Sequence, residues 1–257
     1  MSWENLRLER TGDVATIVID RAAKRNALTI GMWRSLQDVC ETLAEDRELR
    51  AVVVTGDGPS FCAGADISAL SEDDASMKAA VYGAEEALRT LSVPTVAKIR
   101  GHCMGGGNQI AVACDLRICD DTAVFGVPPA KLSVVYPANS LRTLVALIGP
   151  SAAKRLVYTA VPVGASEALR LRLVDEVTAP ADLDATVADL VAAMLPLAPM
   201  TQVATKEIVN EIGQGGDAEQ LYRTWYDEWR SSPDGVEGPR SFLERRPPTF
   251  TWRRSPR

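Results

Sequence analysis

Hydrophobic and polar residues along this chain follow two periods, and the change from one to the other divides it. In the first half the apolar residues come in short runs. "NLRLER" and "VATIVID" read as two strands joined at Thr11–Gly12–Asp13. "AVVVTG" is apolar without alternation, as expected of a buried strand, and "VPTVAKIRG", "DLRIC" and "AVFG" read as further strands. Met32, Leu36, Val39 and Leu43 recur at helical spacing and predict a helix from about Ile30 to Ala44, after a loop "RAAKRNAL". From Ser140 onward the helical period takes over, through "ATVADLVAAML", "MTQVATKEIVNEI" and "AEQLYRTWYDEWR". A last helix, "GPRSFLERR", stops before Pro247–Pro248. Strands then helices, with no Pro/Ser linker, predict one α/β core over residues 1–195 and a helical C-terminal region over 196–257.

Composition narrows the functional classes. A chain of 257 residues can bury a self-sufficient core. Its 28 basic and 34 acidic side chains leave a net charge of −6, the wrong sign for broad nucleic-acid binding. The exception is the end, "ERRPPTFTWRRSPR", where five arginines make either a solvated tail or a local anion site. Five cysteines, an odd number without zinc-ligand spacing, read as reduced buried thiols. With a single histidine as well, no metal site is expected. No apolar run reaches the ~18 residues of a membrane span, and "MSWENLRLERTGDV" has no signal-peptide core. A soluble, cytoplasmic protein with no membrane partner is the expectation.

Two stretches carry candidate chemistry. "FCAGADI" and "GHCMGGGNQI" are each a small-residue turn after a buried strand, and Gly106 stands where a helix begins. Small residues admit close backbone approach. A helix N-terminus offers unsatisfied N–H groups and positive potential. Two such donors converging would stabilise an oxyanion.

In order and spacing, "RAAKRNAL", "FCAGADI", "GHCMGGGNQIAVACDLRI", "FGVPPAKLSVVYP" and "FLERRPPTF" resemble the crotonase superfamily, the enoyl-CoA hydratase/isomerase family, over nearly the whole chain. The resemblance implies a crotonase-like α/β spiral of ββα units, a helical C-terminal region that packs a homotrimer or homohexamer, and an acyl-CoA substrate of the kind met in fatty acid metabolism. It implies no separate cofactor, coenzyme A being part of the substrate. By the family pattern, the backbone N–H groups of Ala65 and Gly106 would hold the thioester oxygen. Ala63, Asp66 and Ile67 would lie along the adenine and pantetheine, and Lys24 and Arg25 would meet the CoA phosphates. Arg245 and Arg246 would either reach CoA or face solvent.

The sequence departs from the hydratase pattern at both glutamate positions, which hold Gln109 and Pro129. Neither side chain titrates, and general acid/base groups contribute about 10²–10⁴-fold each. A lyase or isomerase reaction that needs an enolate but no strong base is therefore favoured, either decarboxylation or double-bond isomerisation. Tyr136, in a segment similar to one in the superfamily's decarboxylases, is the candidate acid, or else a pocket-wall tyrosine bonded to backbone. Hydration would need a replacement acid, for which Asp73 and Asp74 are candidates if they are not helix-capping residues. A non-catalytic acyl-CoA binder is the third reading. His102 and Asp115 read as structural, and Trp225 and Tyr226 as helix packing at a subunit contact.

Overall fold

The computed structural model describes residues 3–66 and 74–254. A six-stranded sheet has the order β1-β2-β3-β4-β6-β9. β1 (Leu6–Thr11) and β2 (Val14–Ile19) form an antiparallel hairpin, turning through Gly12 at φ +56°. β3 (Ala51–Gly56), β4 (Thr95–Ile99), β6 (Leu116–Asp120) and β9 (Glu176–Thr178) then add in parallel.

Both faces of β3 are covered, which explains its unbroken apolar run. Val52 and Val54 face the main core, packed with α1 (Ile30–Ala44) and α2 (Asp74–Thr90). Ala51 and Val53 face Leu183, Val187 and Val191 of α6 (Leu183–Met194). α1 spans the expected residues because Thr29 caps it: its hydroxyl accepts from Met32 N–H at 3.1 Å.

A second layer is smaller. β5 (His102–Met104), β7 (Val124–Gly126) and β8 (Val163–Gly164) form a three-stranded sheet. Single bridges, Leu28 with Ala65 and Cys62 with Cys103, stack successive returns of the chain beside it. These returns are the turns of the spiral. α3 (Gly106–Ala113) follows β5 directly, and all eight of its residues are buried.

α4 (Ala138–Thr159) bends at Gly149–Pro150, α5 (Ala165–Arg170) follows β8, and the chain ends in α7 (Pro199–Gln214), α8 (Ala218–Ser231) and α9 (Asp234–Glu244). The boundary expected near residue 195 falls in the turn between α6 and α7. The expected last helix is longer at its start, beginning at Asp234 and enclosing Pro239. The loop "RAAKRNAL" holds a 3₁₀ turn at Ala22–Lys24. No single described helix is long and apolar enough to cross a membrane.

Arg246, Arg253 and Arg254 of the arginine-rich end have protein partners. Arg254 donates to the carbonyls of Ala44 and Asp46 at 2.6 and 3.0 Å, and Arg253 pairs with Glu48 at 3.3 Å. Arg246 is held by Glu237 at 2.6 Å and Glu244 at 2.7 Å, while Arg245 is exposed in the left-handed conformation that ends α9.

Candidate active site

Two turns meet where the returns of the spiral stack. In the first, Gly64 has φ +109°, and a β-carbon there would stand 3.0 Å from Met104 O. In the second, Gly105 has φ +47° and opens α3. A β-carbon on Gly106 would stand 2.9 Å from Cζ2 of the fully buried Trp33 and 3.2 Å from Ala65 N. Only glycine fits at 106, and its absent side chain is what lets Ala65 N–H and Gly106 N–H approach each other.

The hydrogen bonds around these turns leave both donors unspent. Leu28 donates to Gly64 O and accepts from Asp66 N–H, each at 2.8 Å. A parallel bridge of that kind turns Ala65's own N–H to the other side. Gly106 N–H belongs to the first turn of α3, which has no intrahelical acceptor. Neither N–H has an acceptor among the described residues. Both N–H groups lie near the N-terminus of α3, where the backbone dipole favours an anionic group.

The loop at the rim is tied to the first turn. Arg21 Nη1 lies 2.7 Å from Asp66 Oδ2 and 2.9 Å from Ala27 O. Asn26, fully buried at φ +60°, accepts from Arg21 N–H and donates to the carbonyls of Asp57 and Ser60. Arg25 O accepts from Ala63 N–H at 2.9 Å. Lys24 and Arg25 are themselves exposed, and that bond sets Arg25 beside Ala63. Ile67 and Asp73 lie outside the described residues, and α2 starts at Asp74.

A carboxyl that sequence reasoning missed lies in α2. Glu85 is buried in α2, between Val81 one turn before it and Leu88 one turn after. Its Oε1 accepts from the Ser140 hydroxyl at 2.6 Å, and its Oε2 accepts from the Asn139 amide. Ser140 Oγ in turn accepts from Gln109 Nε2 at 2.9 Å, one turn into α3 from Gly106. Burial pushes the Glu85 carboxyl up to about 7, although Ser140, Gln109 and Asn139 all favour its ionised form. Glu85, Gln109, Asn139 and Ser140 line one part of a cavity of about 710 Å³ between α2, α3, α4 and α7. The available signal was a glutamate inside the apolar stripe of α2, where a salt-bridged surface face would place its charges elsewhere.

Tyr136 stands at the head of the second turn. Its hydroxyl donates to Gly105 O at 3.2 Å. Burial and the nearby Glu85 raise its pKa. The Asn108 amide is close enough to the phenol to oppose that rise, yet forms no hydrogen bond of good geometry among the described residues. Pro129 is buried in a 3₁₀ turn, Pro129–Lys131.

The remaining polar candidates have structural partners. His102 Nδ1 lies 3.4 Å from Ser60 Oγ. Asp115 accepts from Thr95 N–H at 2.7 Å and pairs with Lys206 at 2.8 Å. All five cysteines are buried and unbridged, and burial raises the thiols of Cys62, Cys114 and Cys119 to about 12. Trp225 packs edge-on against Trp252 and donates to Glu207, while Tyr226 lies exposed between Tyr222 and Trp229. Among the described residues no cluster of three His, Cys, Asp or Glu side chains could hold a metal ion.

Comparison with known proteins agrees with this architecture. The enoyl-CoA hydratase/isomerase family profile matches residues 9–253. The chain belongs to the enoyl-CoA hydratase/isomerase family. Among its relatives in that family, the short-chain-enoyl-CoA hydratase of Clostridium acetobutylicum is 34% identical over 215 residues, 82% of each chain. The carnitinyl-CoA dehydratase of Escherichia coli is 31% identical over 261 residues, 97% of this chain and 99% of that one. An enoyl-CoA hydratase/carnithine racemase from Magnetospirillum magneticum superimposes with a TM-score of 0.91 at 30% identity, covering 97% and 96% of the two chains. A Thermobifida fusca family protein solved in complex with CoA superimposes at 0.78, with 33% identity over 86% and 91%. The enzymes of this family act on acyl-CoA, and the fold of this chain is theirs.

Proposed function

We propose that this family member binds a CoA thioester and stabilises its enolate. The observation that carries the reading is the pair of unspent N–H donors on Ala65 and Gly106, brought together by a position that admits only glycine. One such donor contributes about 3–4 kcal/mol to a developing oxyanion. Lys24 and Arg25, on the rim, supply positive charge for the CoA phosphates. Ala63, Asp66 and Ile67 follow as the strip along the adenine and pantetheine, with Asp66 braced by Arg21. The Gln109 amide, bonded to Ser140, faces the reacting carbons without titrating.

Of the two enolate reactions, isomerisation is the better supported. Decarboxylation leaves an enolate that a weak acid must protonate. Tyr136 is half-buried, spends its hydroxyl on Gly105 O and has a raised pKa, which makes it a poor donor and a brace of the second turn. Hydration is a second reading, favoured by Glu85, a carboxyl in the wall where Gln109 and Pro129 supply none.

A panel of thioesters tests these readings. With 3-enoyl-, crotonyl- and malonyl-type CoAs, the expected result is conversion of the 3-enoyl to the 2-enoyl thioester without change of mass. A gain of one water from crotonyl-CoA would establish hydration, and loss of carbon dioxide would restore decarboxylation. Binding without turnover of any thioester would make the protein a silent acyl-CoA binder.

A further inference from the structure

Glu85 is 6% exposed and has no cationic partner among the described residues. The neighbouring Glu86, one residue on, takes the arginine of that helix, Arg89 at 2.5 Å. A buried carboxyl without a counter-ion is unfavourable, and an apolar residue would pack α2 against its neighbours at less cost. The surroundings of Glu85 are built for it nonetheless. Ser140 and Asn139, consecutive residues in the first turn of α4, each present a donor to a different carboxyl oxygen. Gln109 extends this network to α3, whose first residue is the donor Gly106. The carboxyl is thus wired to α3, and it lines a cavity that Gln109, Val112 and Ala113 of that helix also line.

We infer that Glu85 is the group that moves the substrate proton, a carboxyl delivered from α2 in place of the glutamates absent at 109 and 129. This rests on the enolate reading above. In the isomerisation, the Glu85 carboxylate takes a proton from C2 of a 3-enoyl thioester, forming its O–H bond as the C–H bond breaks. The electron pair delocalises onto the thioester oxygen, held by Ala65 and Gly106 N–H. The same carboxyl, its proton exchanging with water, then protonates C4. The C3–C4 π pair forms the new C–H bond, the C1–C2 pair becomes the C2–C3 double bond, and the thioester carbonyl re-forms. Nothing is gained or lost. Ser140, Asn139 and Gln109 are positioning residues that hold the carboxyl oxygens.

The groups facing Glu85 set its behaviour with pH. Glu86 on its own helix raises its pKa, Tyr136 lies within electrostatic reach ahead of α4, and Arg142 of α4 lines the same cavity. Of α7's cations there, Lys206 is engaged by Asp115.

The test is deuterium incorporation from D₂O into 3-butenoyl-CoA, with butanoyl-CoA affinity measured by calorimetry, for the full chain and for Glu85→Gln. The amide is isosteric, and Asn139 can turn its own amide to meet it. Expected is a fall in exchange of about 100-fold or more, the usual size of a general-base contribution, with butanoyl-CoA affinity within about threefold. Should Glu85→Gln fail to fold, Glu85→Asp takes its place, with exchange expected to drop at least about tenfold at unchanged affinity. Exchange within about threefold of the unsubstituted chain would overturn the assignment and leave the enolate reading standing. A chain that binds butanoyl-CoA yet neither exchanges deuterium nor forms crotonyl-CoA from 3-butenoyl-CoA would overturn both.

Discussion

The Tyr136 hydroxyl donates to the carbonyl of Gly105 across 3.2 Å, and the residue after Gly105 supplies one of the two free donors. The phenol therefore braces the turn from behind. Removing it deletes one hydrogen bond, worth about 0.5–1.5 kcal/mol. Tyr136→Phe should fold with slightly lower stability and keep its turnover within about tenfold, read by thermal melting and by the thioester panel. A loss beyond about 100-fold would return Tyr136 to the role of proton donor.

Substitution at Gly106 should act differently. An alanine there puts its β-carbon 2.9 Å from the ring of Trp33, which is fully buried and has no room to withdraw, and 3.2 Å from Ala65 N. The two donors must separate. Loss of one oxyanion donor typically reduces kcat by about 10²–10³-fold, so Gly106→Ala should lose at least that much. The control is Gly164→Ala in β8, where an added β-carbon meets nothing within 4 Å and turnover should be unchanged.

Stability should depend on pH through Glu85. Its ordinary value is 4.5, and in the folded chain burial raises it to about 7. Between those values the folded state binds the proton that the unfolded state has released, so stability falls as pH rises through that window. At 1.36 kcal/mol per pH unit the full effect is on the order of 3 kcal/mol. Urea unfolding of the unsubstituted chain should show this slope between pH 4.5 and 7, and Glu85→Gln should flatten it.

Turnover should depend on pH in the opposite sense. The carboxylate is the active base, so the rate should rise with pH around 7. Ser140 donates to that carboxylate and lowers its pKa, so Ser140→Ala should shift the midpoint upward. An unmoved midpoint would separate Ser140 from the proton-moving group.

The thiols should be silent. Cys62, Cys114 and Cys119 are held near 12, and Cys40 and Cys103 are also raised by burial. Thiolate is the reactive form. At pH 8 iodoacetamide should label none of the five in the folded chain and all five in guanidinium, counted by intact mass. Labelling of the native chain would show a cysteine outside the packing described.

Much of the fold was legible because local signals agreed. The spacing of Met32, Leu36, Val39 and Leu43 and the capping Thr29 place α1, and the unbroken run at Val52–Val54 marks a strand covered on both faces. α9 was read short because Gly238–Pro239 resembles a helix start, whereas the helix begins at Asp234 and tolerates the proline. The glycine turn ahead of α3 was also legible, since such turns have a sequence signature. Glu85 was not. Its meaning depends on Ser140 and Gln109, 55 and 24 residues away in sequence, which only tertiary packing brings together. The Arg21–Asp66 pair escaped for the same reason.

The bridges that stack Leu28 on Ala65 and Cys62 on Cys103 have a consequence for how such a chain can diverge. The donors they align are main-chain atoms, so exchanging the side chain at position 65 does not delete its N–H. Mutational drift is thus kept away from the part that all enolate chemistries share. On the proposed reading the acid is a side chain, and a side chain can be supplied from a different helix while the main-chain donors stay where the backbone puts them.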